Sequence, residues 1–234
     1  MRRVTDKKAY FVFSPWIRLF HWIMALCVFV LFATGLYIGD PGFKAITGYN
    51  EPTFAVGSLF SMESIRAIHF YAGVILAFSF VFRIYGAFIN PGDRLLPHFN
   101  DKEFWIGIWE TTKHYLFLPE KDPRHKLRNA LARLSYFIVY IMFTLEILTG
   151  FAMYAQIRPN GLLALVFNPI NMYFSEYQVH IIHHYTAWGF MLFIIVHIYM
   201  AFRADYMEDN GEVSSMISGI KYYEHDPVDV DDLK

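Results

Sequence analysis

Ten histidines stand in a chain that is otherwise strongly apolar, and their placement is the first chemical question the sequence raises. Of the 234 residues, 56% are hydrophobic and only 18% are charged, whereas a soluble domain is typically about 25% charged. Six histidines fall inside long apolar segments, among them His21, His69, His183 and His197, and ionisable groups there are costly and usually mark function. Because neutral imidazole is a common metal ligand, the pattern predicts a group bound to histidine inside a membrane.

Composition excludes several other chemistries. The single cysteine, Cys27, rules out a disulfide framework, a four-cysteine zinc site, a cysteine-ligated iron–sulfur cluster and a haem attached through a CxxCH motif. The net charge of −1 provides no basic surface for nucleic acid, so that class of partner is excluded.

Four apolar segments are long enough to cross a bilayer, which takes about 20 helical residues. They lie at about 15–38, 65–88, 131–155 and 179–202. A fifth segment, about 104–118, is short and carries charges, which favours a helix lying in the membrane interface. The sequence therefore predicts an all-α, integral membrane four-helix bundle with a cytoplasmic interfacial helix. We expect one domain over 1–234, no internal repeat, and a tail at 203–234 whose acidic end from Asp226 is disordered.

Lysine and arginine are distributed unevenly between the connecting segments. Eleven fall in the N-terminal segment and the middle connection, against two, Lys44 and Arg158, in the other two connections. The positive-inside rule then places both termini and the middle connection in the cytoplasm. The two outer connections are rich in Gly, Pro, Asn and aromatic residues, and as loops they would suit the docking of an external partner.

The histidines inside the four segments pair off by depth. His69 and His183 are expected near the outer surface, and His21 and His197 near the cytoplasmic one. His183 and His197 are 14 residues apart, an axial rise of about 21 Å with a net rotation of about −40°, so their rings leave nearly the same helix face. His184 is rotated by about 140° from His197 and is the alternative outer ligand.

The same spacing recurs on the other helices that carry histidine. Gly35 follows His21 by 14 residues, and Arg83 follows His69 by 14 residues. A flat macrocycle needs a missing side chain where it lies against a helix, and its propionates need a cation, for which Arg18 is a second candidate. Because imidazole suits haem iron and the surroundings are poor in carboxylates, the sequence predicts bound haem.

Several segments resemble the cytochrome b subunit of membrane-bound nickel–iron hydrogenases. They are SPWIRLFHW, SIRAIHFYAG, FRIYGAF, TGFAMY, HIIHHYTAWGF, and HIYMAFRADYM with the following MISGIKYY. The resemblance covers essentially the whole chain. The histidine framework alone is shared with the cytochrome b subunits of formate dehydrogenase and thiosulfate reductase, whereas IYMAFRADYM with MISG is typical of the hydrogenase branch.

The resemblance implies two b-type haems, an outer one on His69 and His183 and an inner one on His21 and His197. It further implies an electron-transfer subunit of a hydrogen:quinone oxidoreductase in the bacterial plasma membrane. On its outer face such a subunit anchors the iron–sulfur small subunit and the nickel–iron large subunit of a hydrogenase. It passes their electrons to menaquinone or another quinone.

We expect quinone to be reduced at the cytoplasmic end, because the reaction consumes two protons and needs a pocket connected to water. The candidate lining is Asn129, Arg133, Met200 and Arg203. Relatives usually carry glutamine one turn after the asparagine, so Arg133 is a departure. The alternative is that both arginines contact phosphate headgroups. Glu146, nearer the outer side, is expected to be a helix-contact or haem-environment residue.

Two other functions stay open at this point. The first is a diheme cytochrome b that serves a different external dehydrogenase, such as formate dehydrogenase. The second is a haem-free membrane subunit that uses its histidines to move protons. An absorption spectrum of the purified protein separates the second from the others.

Overall fold

The computed structural model describes residues 7–39, 61–118 and 129–227. Seven α-helices and two short strands lie in this part of the chain. They are β1 (Lys8–Phe11), α1 (Pro15–Gly39), α2 (Met62–Ile89), α3 (Lys102–Tyr115), α4 (Ala130–Ile157), α5 (Leu162–Tyr173), α6 (Glu176–Glu208), α7 (Glu212–Ser218) and β2 (Ile220–Tyr223). By length and composition, α1, α2, α4 and α6 can cross a membrane. The all-α class and the four predicted spans are confirmed.

Local sequence explains where these helices begin. Asp101 accepts a hydrogen bond from the Glu103 amide at the start of α3, and Asn129 accepts one from the Ala132 amide at the start of α4. Ser175 forms a capping box with Gln178 at the start of α6. Such side chains satisfy amide groups that have no partner within the helix. The fifth apolar segment is therefore confirmed as a helix, α3.

The second outer connection differs from its prediction as a loop, because it contains α5. The sequence there combines Asn and Pro, which usually break helices, yet Pro169 lies inside α5. Tertiary contacts with α4 stabilise it: the Asn171 amide donates to the Ala152 carbonyl at 3.0 Å, and Phe167 stacks on Phe151 at 5.1 Å. In the first connection predicted to be outer, residues 40–60 lie outside the described residues.

The tail is ordered further than predicted. After α6 and α7, β2 pairs antiparallel with β1, with Lys8 opposite Tyr223 and Phe11 opposite Ile220. Asp226, the expected start of disorder, accepts hydrogen bonds from Lys8 and Tyr10. Residues 228–234 lie outside the described residues. The sequence missed this sheet because strands of four residues have little periodicity, and their partners lie at opposite ends of the chain.

The described chain divides into two compact units. The first, Leu19–Ile84, holds most of α1 and α2. The second holds β1, the first turn of α1, the end of α2 and everything after it. In the second unit α4 packs against α3, α5 and α6, and the rings of Phe143 and Phe190 lie 4.8 Å apart between α4 and α6.

Candidate functional site

In the first unit, His69 on α2 is held by a threonine of α1. The distance from His69 Nδ1 to Thr34 Oγ1 is 2.8 Å. The Thr34 hydroxyl donates its own hydrogen to the Val30 carbonyl at 2.7 Å, so towards the imidazole it accepts. This arrangement favours the tautomer of neutral His69 that carries its proton on Nδ1, in which Nε2 keeps the lone pair that a metal needs.

Gly35 lets the His69 ring approach α1. A Cβ at this position would lie 3.5 Å from His69 Cε1. The sequence predicts Gly35 as the place where a macrocycle lies against the helix, and the structure places the imidazole there. Thr34 thus contacts the ring through its hydroxyl, and Gly35 leaves space for the ring because it has no side chain.

In the second unit, His183 on α6 meets the same arrangement on α4. The distance from His183 Nδ1 to Thr149 Oγ1 is 2.9 Å, and the Thr149 hydroxyl donates to the Leu145 carbonyl at 2.6 Å. A Cβ on Gly150 would lie 3.3 Å from His183 Cε1. Thr149 and Gly150 are site residues that sequence reasoning missed.

The two histidines also occupy the same position in their helices. The Ser61 hydroxyl accepts from the Ser64 amide at 3.1 Å, and the Ser175 hydroxyl accepts from the Gln178 amide at 3.3 Å. In both helices seven residues separate this serine from the histidine. A Thr-Gly pair followed by Ser-x7-His is thus present twice. The few shared residues are spread over about 35 positions, so this local likeness does not test the prediction of no internal repeat.

A carboxylate beside His183 distinguishes its site from that of His69. Glu146 Oε2 lies 2.8 Å from His183 Nδ1, and 13% of the Glu146 side chain is exposed. Its other oxygen, Oε1, is buried and has no hydrogen-bond partner among the described residues. Glu146 precedes Thr149 by three positions, and the residue three positions before Thr34 is Leu31. The sequence predicts Glu146 in the haem environment but does not identify this contact.

The other histidines of α6 near this end point elsewhere. His184 is exposed, whereas only 16% of the His183 side chain is. The His180 ring donates from Nδ1 to the Glu176 carbonyl at 3.0 Å. The helical phase therefore turns His183, rather than His184, towards α4.

The expected inner ligands have aromatic neighbours on their own helices. His21 is half-buried on α1, with the Trp22 ring edge-on at 5.1 Å. His197 on α6 is exposed and stacks on Phe193 at 5.4 Å with an interplanar angle of 12°. The pairing of His21 with His197, like that of His69 with His183, stays a prediction.

The two candidate cations for haem propionates have different surroundings. Arg83 is buried, with 3% of the residue exposed. Arg18 instead donates from Nη1 to the Ile217 carbonyl at the end of α7. Because Arg18 already bonds a carbonyl of the tail, Arg83 is the better candidate for binding haem propionates.

The residues predicted to line a quinone site all have contacts near α3 or at the start of α4, apart from the half-buried Met200. Asn129 caps α4. Arg133 is buried, and its Nη1 lies 3.4 Å from the Leu96 carbonyl. Arg203 donates to the His114 carbonyl at 3.0 Å and lies 4.2 Å from the Phe117 ring centroid. Sequence reasoning missed these contacts because they depend on how α3 packs.

Comparison with known proteins identifies similar chains over nearly the whole sequence. The model of the family described as prokaryotic cytochrome b561 matches residues 12–219. The probable Ni/Fe-hydrogenase 1 B-type cytochrome subunit of Escherichia coli K12 is 32% identical over 221 residues, which cover 91% of each chain. Probable Ni/Fe-hydrogenase B-type cytochrome subunits are similar too: that of Cupriavidus necator is 34% identical over 92% of this chain and 88% of its own. That of Azotobacter vinelandii is 30% identical over 97% and 94%.

Proposed function

The chain belongs to the prokaryotic cytochrome b561 family, and from that premise we propose that it is the b-type cytochrome subunit of a nickel–iron hydrogenase. It would accept electrons from the hydrogenase and pass them to membrane quinone through two haems. The names of its relatives support the hydrogenase partner. The observation that supports the haem assignment is the pair of imidazoles, His69 and His183, whose Nδ1 atoms each lie within hydrogen-bond distance of a threonine hydroxyl, which favours the tautomer that leaves Nε2 for a metal.

The residues present fit a b-type haem. Imidazole nitrogen is a good donor to haem iron, and a metal-bound histidine usually donates its other ring N–H to a neighbouring acceptor. A haem, when bound, supplies a one-electron iron couple. His69 and His183 would hold the outer haem, and His21 and His197 the inner one.

The helices would place the two haems in series. Since α6 would carry one ligand of each level, His183 and His197, the 14-residue spacing would set the two rings about 21 Å apart along the helix axis. Buried Arg83 follows His69 by 14 residues on α2; at the inner level it would neutralise propionates. Electrons would move from the outer level to the inner level over distances that α6 fixes.

The direction of transfer follows from the charge distribution. Both termini and the middle connection would be cytoplasmic, and the iron–sulfur small subunit would dock on the outer side, with the nickel–iron large subunit beyond it. Quinone would be reduced near Asn129, Arg133, Met200 and Arg203, because a site at the cytoplasmic end of the spans would have access to water and protons.

A spectrum of the full chain, purified in detergent, tests the proposal. We expect the absorption of low-spin b-type haem and a haem-to-protein ratio of two. His183→Ala should lower that ratio to one, and the neighbouring His184→Ala is the matched control that should leave it at two. A wild-type protein without haem contradicts the function, and loss of haem only in the His184 variant contradicts the ligand assignment.

A further inference from the structure

We infer that Glu146 makes His183 a stronger electron donor to iron than His69, while Thr34 and Thr149 hold both imidazoles in the tautomer that leaves Nε2 for the metal. This inference rests on the proposed ligation of an outer haem by His69 and His183. The two helix pairs would hold their imidazoles in the same geometry, but only the pair with Glu146 would increase the electron donation of its histidine to iron.

The threonines set the tautomer because each hydroxyl has a single hydrogen. In α1 that hydrogen is donated to Val30, and in α4 to Leu145, four residues earlier in each helix. Threonine in a helix commonly makes this bond. The remaining lone pairs face the imidazoles at 2.8 Å and 2.9 Å. A ring with its proton on Nε2 could bond the hydroxyl only if the hydroxyl gave up its donation to the helix carbonyl, whereas the Nδ1–H form keeps both hydrogen bonds and is therefore favoured.

Glu146 adds a charge to this arrangement on one side only. Its Oε2 lies 2.8 Å from the same His183 Nδ1 that faces Thr149. A carboxylate that accepts from a ligating imidazole raises the basicity of the ligand. Its negative charge also stabilises the more positive, ferric state of a nearby iron, and it does so strongly where little water is present. At the matching position of α1 the side chain is Leu31, which carries no charge.

The placement of Glu146 is not explained by packing. Its second oxygen is buried without a hydrogen-bond partner in the part of the chain that the structure describes. A polar atom left in this state is costly in a membrane-spanning helix. A role towards His183 accounts for a carboxylate at this position, whereas an apolar residue would serve contact between helices.

The test is a redox titration of the full, haem-loaded chain in detergent, followed by visible absorption. Glu146→Gln keeps the length of the side chain and removes the charge. We expect the equilibrium constant for reduction of one haem to rise at least tenfold, which is 59 mV for one electron, with the ratio of two haems and the other potential unchanged. Glu176→Gln, the same substitution in the exposed first turn of α6, is the matched control and should shift neither haem.

A second variant gives the opposite sign. Thr149→Val removes the neutral acceptor and leaves the His183 N–H to the carboxylate alone, so the potential of the same haem should fall. A merely structural role predicts no such reversal. Unchanged potentials in Glu146→Gln, or an equal shift in Glu176→Gln, would overturn the inference while wild-type haem still supports the function. If Glu146→Gln does not retain haem, Thr149→Val decides, and an unchanged or raised potential overturns the inference.

Discussion

The contact between α1 and α2 at His69 and the contact between α4 and α6 at His183 are built from the same parts. Each has a Thr-Gly pair on one helix, and each has a histidine placed eight residues after a capping serine on the other. They differ where Leu31 stands in one and Glu146 in the other. The comparison teaches that the helix pair sets the geometry of the ring, while a single position beside it sets the local charge.

The two helix pairs diverge further along. Thirteen residues before the threonine, α1 has His21 and α4 has Tyr136; fourteen residues after the histidine, α2 has Arg83 and α6 has His197. Each pair thus contributes one of the two histidines predicted as inner ligands, His21 from the first helix of one pair and His197 from the second helix of the other.

The largest effect should come from filling the space over either ring. Gly35→Val and Gly150→Val would place stiff, branched side chains against His69 and His183, and each variant should lose one of two haems, measured as the haem-to-protein ratio. Gly73→Val is the control in the first pair, because its Cβ would meet the end of Leu31 at 3.9 Å. Gly189→Val, which faces the flexible end of Met142, is the control in the second. If the two control variants lose haem equally, Gly35 and Gly150 act only through helix packing. The space that they leave over His69 and His183 would then have no special role in binding haem.

An intermediate effect should distinguish the two capping serines. Ser61→Ala and Ser175→Ala each remove an acceptor from a helix start, which typically costs about 1 kcal/mol. Ser175→Ala should lower the stability more, because Ser175 and Gln178 form a capping box in which each side chain accepts from the backbone amide of the other. The substitution therefore disturbs the hydrogen bonds of two amide groups at once. Thermal unfolding followed by circular dichroism measures both, with Ser→Thr at each position as the control. A larger loss at Ser61 would contradict the extra contribution assigned to the capping box of Ser175.

The smallest effect should come from alanine at the two glycines. A Cβ at Gly35 would meet His69 at 3.5 Å, an ordinary contact, whereas at Gly150 it would meet His183 at 3.3 Å. The second ring must therefore move by a few tenths of an ångström. We expect Gly35→Ala to keep both haems, and Gly150→Ala to release one of them more readily when apomyoglobin is added as a haem acceptor. Equal release rates would mean that both rings have the same freedom.

The spans and the candidate histidines could be predicted because they depend on long runs and fixed helical spacing. The helical phase that favours His183 over His184 agrees with their exposure in the structure. Thr34, Thr149 and Glu146 could not be assigned their contacts, since a threonine back-bonded to its own helix looks like any other apolar-facing threonine in a sequence. α5 was hidden by Pro169, and the roles of Arg18 and Arg203 depend on how the tail and α3 pack.

The sheet between β1 and β2 orders events during synthesis of the chain. Lys8 and Asp226, which bond across it, are 218 residues apart, and a ribosome adds about 5–20 residues per second. The first strand therefore waits on the order of ten to forty seconds for its partner, while α1, α2, α4 and α6 are all made and inserted. Until then its edge is unpaired and open to other strands. β1 can therefore pair with β2 only after the last long helix has been translated. In a chain that stalls before Ile220, β1 and the adjoining start of α1 lack this partner.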